Sequence, residues 1–131
     1  MIKNVFSPIY DSGCCLGREL IDDKVEKMIN NDQMINAYIR RGKSEIHWEG
    51  YSKKLNHFDL LNLLKKEYPE IITKIIQRVK TKYKKEKIKE VIYNVDNNLP
   101  EYLKKHKLSE NRKILMLKLV TLRIDKLFKL E

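Results

Sequence analysis

Only one stretch of this chain, Ile2 to Tyr10, reads as extended, and no second stretch offers it a partner strand. Pro8 lacks an amide hydrogen and limits that stretch to an edge or an interrupted strand. A sheet is thereby excluded as the organising layer, and the remaining apolar residues must be buried by helices. They recur from about Arg18 onward at i, i+3 and i+4. The expected fold is mainly α, a helical bundle with a short extended N-terminal segment. The 131 residues suit one domain, with 1–17 as the extended segment and 18–131 as the helical body. Four Gly and three Pro leave little room for low-complexity linkers, and 42% hydrophobic with 35% charged residues argues against disorder.

Local chemistry sets the expected helix ends. A first helix spans about Arg18 to Asn30, with Leu20, Ile21, Val25, Met28 and Ile29 on one side. Asp32 caps a second, Gln33 to Arg41, which ends at Gly42 in the position that favours positive φ. Lys43 to Tyr51 has no helical period and is expected to be a loop that Trp48 plugs onto the body. Asn56 caps a helix from His57 to Glu67, with Phe58, Leu60, Leu61 and Leu64 inward, and Pro69 fits the first turn of the next, about Glu70 to Lys84. There Ile72, Ile75, Ile76, Val79 and Tyr83 form a stripe. The phase slips near Lys84 to Lys87, and a new stripe begins with Ile88, Val91, Ile92 and Val95. Asn98 and Glu101 have capping-box spacing ahead of a short helix, Pro100 to His106. Ser109 caps the last helix, Glu110 to Leu130, with Ile114, Leu117, Val120, Ile124, Leu127 and Phe128 inward, and Lys118, Thr121, Asp125 and Lys129 on a narrow wet face.

The net charge of +10 is unevenly placed. Residues 1–52 carry 7 Lys/Arg against 8 Asp/Glu, and residues 53–131 carry 21 against 10. The excess peaks between Lys74 and Lys89, where Glu86 is the only acid. Such a run is either a solvated surface or a face for phosphates, acidic partners or anionic lipid. Arg78, Lys80, Lys82, Lys84 and Lys85 are its candidate nucleic-acid contacts, although Tyr83 alone interleaves an aromatic ring. Cys14 and Cys15 are adjacent and cannot staple distant segments, which points to a reducing compartment. The start has no uninterrupted apolar region of signal-peptide type, and the longest later apolar run, Ile114 to Leu117, is too short to span a bilayer. A cytoplasmic location and no membrane partner are expected. His47, His57 and His106 lack metal-ligand spacing.

Asp11 stands where the extended segment meets the Ser12-Gly13 turn, a place that suits either a fixed metal ligand or an Asx turn. The residues Ser7-Pro8-Ile9-Tyr10-Asp11-Ser12-Gly13-Cys14-Cys15-Leu16-Gly17 resemble the S/A-P-[IL]-[FY]-D-S-G-[ST]-S-L segment of HipA-type serine/threonine kinases, the family of the toxin kinases of bacterial toxin-antitoxin systems. The G-K-S-E-I-x-W loop from Gly42 to Trp48 and the final I-L-x-L-x-x-x-R-I-D-K-L helix are similar to the C-terminal helical lobe of that family. The resemblance implies that Asp11 matches the family's metal-binding Asp, the counterpart of the Asp in the D-F-G motif. Ser12, Arg40, Arg41 and Lys43 are then candidate contacts to substrate or phosphate.

The departures from the family's pattern fix the expected activity. A phosphate-covering loop, a phosphate-holding Lys, a catalytic Asp and a second metal ligand all precede this segment in such kinases. Ten residues precede Asp11 here, and Gly13, Gly17, Gly42 and Gly50 build no glycine-rich phosphate loop. Asp22 and Asp23 are expected as solvated helix charges. Since positioning and charge neutralisation supply nearly all of this catalysis, the chain alone is expected to be inactive, with no catalytic residue and no cofactor of its own. Mg²⁺ and ATP would enter only with an N-terminal kinase lobe, and an antitoxin-like protein is the other expected partner. The alternative is a basic helical regulator that holds nucleic acid.

Overall fold

The computed structural model describes residues 16–130, and the extended segment with Asp11, Ser12, Cys14 and Cys15 lies outside them. Six α-helices follow one another: α1 (Asp22–Ile29), α2 (Asp32–Arg41), α3 (His57–Glu67), α4 (Pro69–Lys82), α5 (Lys85–Asn94) and α6 (Glu110–Phe128), with a 3-10 helix at Glu101–His106. Among the described residues the protein is thus a helical bundle, and its one extended pairing is an isolated antiparallel bridge between Lys43 and Asn56.

The last helix organises the packing, since α1, α2, α4 and α5 all lie against α6 while α3 lies against α4. Its Leu115 and Leu119 join Leu20, Val25, Met28, Ile35 and Ile39 in a buried cluster, flanked by Phe58 and Leu122. Each such side chain taken fully from water contributes roughly 1.5–3 kcal/mol, enough for a small bundle to outweigh its chain entropy only when many are buried together. Leu60, Ile72, Ile76 and Ile92 are buried beyond this cluster, on α3, α4 and α5. Among the described residues no helix is long and apolar enough to cross a membrane.

Where capping chemistry is strong, the helices begin where the sequence places them. The Asn56 side chain accepts from the Phe58 and Asp59 amides, Pro69 occupies the first turn of α4, and Ser109 accepts from the Arg112 amide. Tyr83 and Lys84 adopt extended backbone between α4 and α5, just ahead of the expected break.

Five expectations are corrected. The first helix starts at Asp22 instead of Arg18, because Leu16 and Gly17 have φ of 58° and 80° and turn the chain before it can coil. The α2 cap is Asn31, which accepts from the Met34 amide, while Asp32 is already helical. Gly42 has φ −59°, so no left-handed cap ends α2. A Cβ there would lie 3.1 Å from His57 Nδ1, and close approach is what glycine provides at this position. The 3-10 helix has no side-chain cap, and Glu101 instead pairs with Lys104, so the Asn98 capping box does not form.

The fifth correction concerns which faces are buried. Ile21, Ile75, Val91 and Val95 point outward, because α4 and α5 each meet the rest along a narrow line through Ile72, Ile76 and Ile92. On α6 the buried line is Leu115 and Leu119, with Ile114, Leu117, Val120 and Ile124 half-buried beside it. Lys118, expected on the wet face, is only partly exposed and donates to the Ile29 carbonyl at 2.7 Å and to Asp32 at 3.2 Å, closing the end of α1.

Candidate functional site

Gly17 begins the part of the molecule that positions the candidate site. Its positive φ admits glycine at low cost, and a Cβ would lie 3.3 Å from Leu115 Cδ2, so the backbone lies directly on α6. Arg112 of α6 donates to the Gly17 and Leu20 carbonyls and pairs with Asp22 at 2.9 Å. Asp22 is a solvated helix charge, as expected, with 79% of its side chain exposed, and it also pairs with Arg112. The backbone from Gly17 to Asp22 is thus fastened to the central helix by packing and by one guanidinium.

Beside this anchorage lies a cleft of about 580 Å³, formed by the turn at Glu19, α1, α2, the start of the loop and α6. Ligand sites typically occupy about 300–1,000 Å³, so the size is that of a small-molecule cleft. Lys24, Arg41, Lys43 and Arg123 line it, and Glu19 is the single carboxylate in its wall. Tyr38 donates its hydroxyl to Glu19, and Arg41 Nε donates to the Ala37 carbonyl at 3.3 Å. Met28, Met34 and Ala37 supply apolar lining. Four cations against one acid, in a concave and partly apolar setting, make a site for anions.

Lys43 reaches the cleft because the loop begins as a short extended arm. Ser44 donates its amide to the Leu55 carbonyl at 2.8 Å, and His57 donates to the Gly42 carbonyl at 3.3 Å. Ser44 is buried, and its hydroxyl oxygen accepts from the Ile46 amide. Trp48 is half-buried. Glu45 forms an exposed ion pair with Lys54, whose hydrogen bond and charge pull the Glu45 carboxyl below its ordinary range.

Of the residues marked in the sequence for substrate or phosphate, Arg41 and Lys43 are brought together in this cleft. Arg40 is not. One residue turns a helix by about 100°, and Arg40 faces a separate groove with Asn56, Phe58 and Lys126. Asp11 and Ser12 lie outside the described residues. Lys24, Glu19, His57 and Arg123 were missed as cleft residues. Only Arg123 carried a signal, a cation interrupting the apolar run of α6.

The proposed nucleic-acid residues occupy the α4–α5 corner. Arg78, Lys82, Lys84 and Lys85 are exposed, whereas Lys80 is half-buried with its ammonium 5.4 Å from the Phe128 ring centre. Among the described residues no three His, Cys, Asp or Glu side chains are grouped to hold a metal. No protein-family model, curated protein or solved structure matches the chain.

Proposed function

We propose that this chain is the C-terminal lobe of a HipA-like kinase, inactive alone and completed by an N-terminal kinase lobe, or restrained by an antitoxin-like protein, supplied from outside these residues. The observation that carries the proposal is the anchorage of the chain immediately after the D-S-G-C-C segment. A metal ligand works when its backbone is held still, and Arg112 and the packing of Gly17 on α6 hold the described backbone at Gly17 and Leu20. Asp11 would supply one oxygen ligand to Mg²⁺, and Arg41 and Lys43 would face the acidic or phosphorylated partner molecule. The described residues do not fit Mg²⁺ and ATP by themselves, since they offer neither a grouped set of ligands nor a glycine-rich phosphate loop. No chemical step is therefore assigned to this chain alone.

Calorimetric titration of ATP into the chain is expected to show no tight binding that depends on Mg²⁺, and no phosphate transfer. Mixing it with the polypeptide of the adjacent reading frame is expected to restore transfer, and Asp11→Asn to abolish it. Transfer by the chain alone would overturn its assigned inactivity, and transfer by the mixture that survives Asp11→Asn would remove the metal-ligand role.

Nucleic acid is the second candidate partner. The observation favouring it is that Arg78, Lys82, Lys84 and Lys85 project from the α4–α5 corner without an ion pair among the described residues. Phosphate backbones are attracted by such a surface regardless of sequence.

A further inference from the structure

We infer that the cleft between α1, α2 and α6 binds a small organic phosphate without a metal, holding the phosphate among Arg41, Lys43 and Arg123 and the organic part over Met34 and Ala37. The inference rests on the part of the proposed function that gives Arg41 and Lys43 an anionic ligand, and it needs neither Asp11 nor a completing lobe.

Three features select this class of ligand. The first is charge. A phosphomonoester carries nearly two negative charges at neutral pH, which three cations lining one cleft match better than they match a single carboxylate. Two of the three are guanidiniums, whose planar fork suits phosphate oxygens, while Lys43 adds a point charge. The second is size. A cleft of about 580 Å³ leaves most of its space unfilled by a bare phosphate ion and has room for an attached organic body. The third is the division of the lining. The half-buried Met34 and Ala37 give an apolar surface on which a ring can lie, and methionine adapts to aromatic faces. Glu19, held by the Tyr38 hydroxyl, can accept a hydrogen bond from a hydroxyl of the ligand.

At the α4–α5 corner Arg78, Lys82 and Lys84 are exposed, and the smaller groove of about 250 Å³ that Lys85 lines with Leu117 and Leu122 pairs its other cation, Lys118, with Asp32. The corner therefore serves as an internal cationic control of different geometry.

The test uses the full chain and three probes measured by calorimetry in the absence of divalent metal: AMP, adenosine and inorganic phosphate. AMP is expected to saturate a single site and to bind at least about tenfold more tightly than either fragment, because both the cationic and the apolar walls are engaged. Arg41→Gln and Arg123→Gln are each expected to weaken AMP by about tenfold, the effect of losing one charge-assisted hydrogen bond. Lys82→Gln removes the same charge from the outer corner and should leave AMP binding unchanged. Thermal melting verifies folding, and Lys43→Gln in the extended arm replaces either arginine variant that melts early. Absence of AMP saturation overturns the inference, as does AMP binding no tighter than inorganic phosphate. Equal losses in the cleft variants and Lys82→Gln would show attraction to net charge alone and would also overturn it. Each of these failures leaves the phosphate-transfer experiment with a completing lobe untouched, so the two proposals fail separately.

Discussion

Lys113 is buried at the start of α6, where a charged group persists only if its partners replace water. Its ammonium donates to Asp96 Oδ1 at 2.7 Å and to the Tyr93 carbonyl at 3.0 Å, and Asp96 also accepts from the Leu108 amide at 2.8 Å. The hydrogen bond from Lys113 is the main cause that holds the Asp96 carboxyl below its ordinary range, helped by the Leu108 amide and the ammonium charge and opposed by burial. A carboxyl depressed in the folded state contributes stability that is complete above its unfolded value, near pH 4, and is lost as pH falls through the lower folded value. Asp96→Asn should therefore lower the melting temperature at neutral pH, with a deficit that narrows as pH is taken from about 5 towards 2. Melting curves across that interval check it, and a deficit independent of pH would show that the ionised pair is not the cause. Neither residue stood out in the sequence, where Lys113 follows the cap of a helix and Asp96 follows an apolar stripe. Their pairing needs α5, the 3-10 turn and α6 to be placed together.

At the level of elements, the ends of helices were more legible than their faces. Asn56, Pro69 and Ser109 act within one turn of themselves, so their effect survives whatever the tertiary packing does. Gly42 misled because a glycine after a helix usually adopts positive φ, whereas here it makes room for His57. The phase of α6 was not legible for a different reason. That helix is apolar nearly all round, and neighbours on several sides remove the contrast that periodicity needs. The observed packing separates two substitutions that sequence periodicity would rank the other way. Leu119→Ala, at a side chain with no exposure, should cost about 2–5 kcal/mol, whereas Ile114→Ala, half-buried, should cost under about 1.5 kcal/mol. Urea denaturation of both variants measures the difference, and a larger loss for Ile114→Ala would mean that α6 is rotated from the packing described. The candidate cleft was half-legible by the same logic. Arg41 and Lys43 are neighbours in sequence, but Lys24 and Arg123 join them only through the contacts of α1 and α2 with α6.

For the molecule as a whole, the excess of positive charge in residues 53–131 does not form one surface. Lys113 and Lys118 are taken up by Asp96 and Asp32, Lys80 lies over Phe128, and Arg123 enters the cleft. The α4–α5 corner keeps Arg78, Lys82, Lys84 and Lys85 exposed close together in sequence, so attraction of polyanions should draw on that corner while recognition of a small phosphate should not. A combined Arg78→Gln, Lys82→Gln, Lys84→Gln and Lys85→Gln variant separates the two. If the corner holds nucleic acid, log K for random duplex DNA should fall with log salt, and the variant should reduce the steepness of that fall by up to about 3–4, since each phosphate contact contributes about 0.9 to the slope. AMP affinity in the same variant should stay within about twofold of the original protein at fixed salt, because the screening length at physiological salt is about 8 Å and the cleft's own cations lie beside the ligand. An unchanged DNA slope would remove nucleic acid as a partner of the corner. A parallel loss of AMP binding would mean that the two cationic regions act as one field, and would relocate the phosphate site away from Arg41, Lys43 and Arg123.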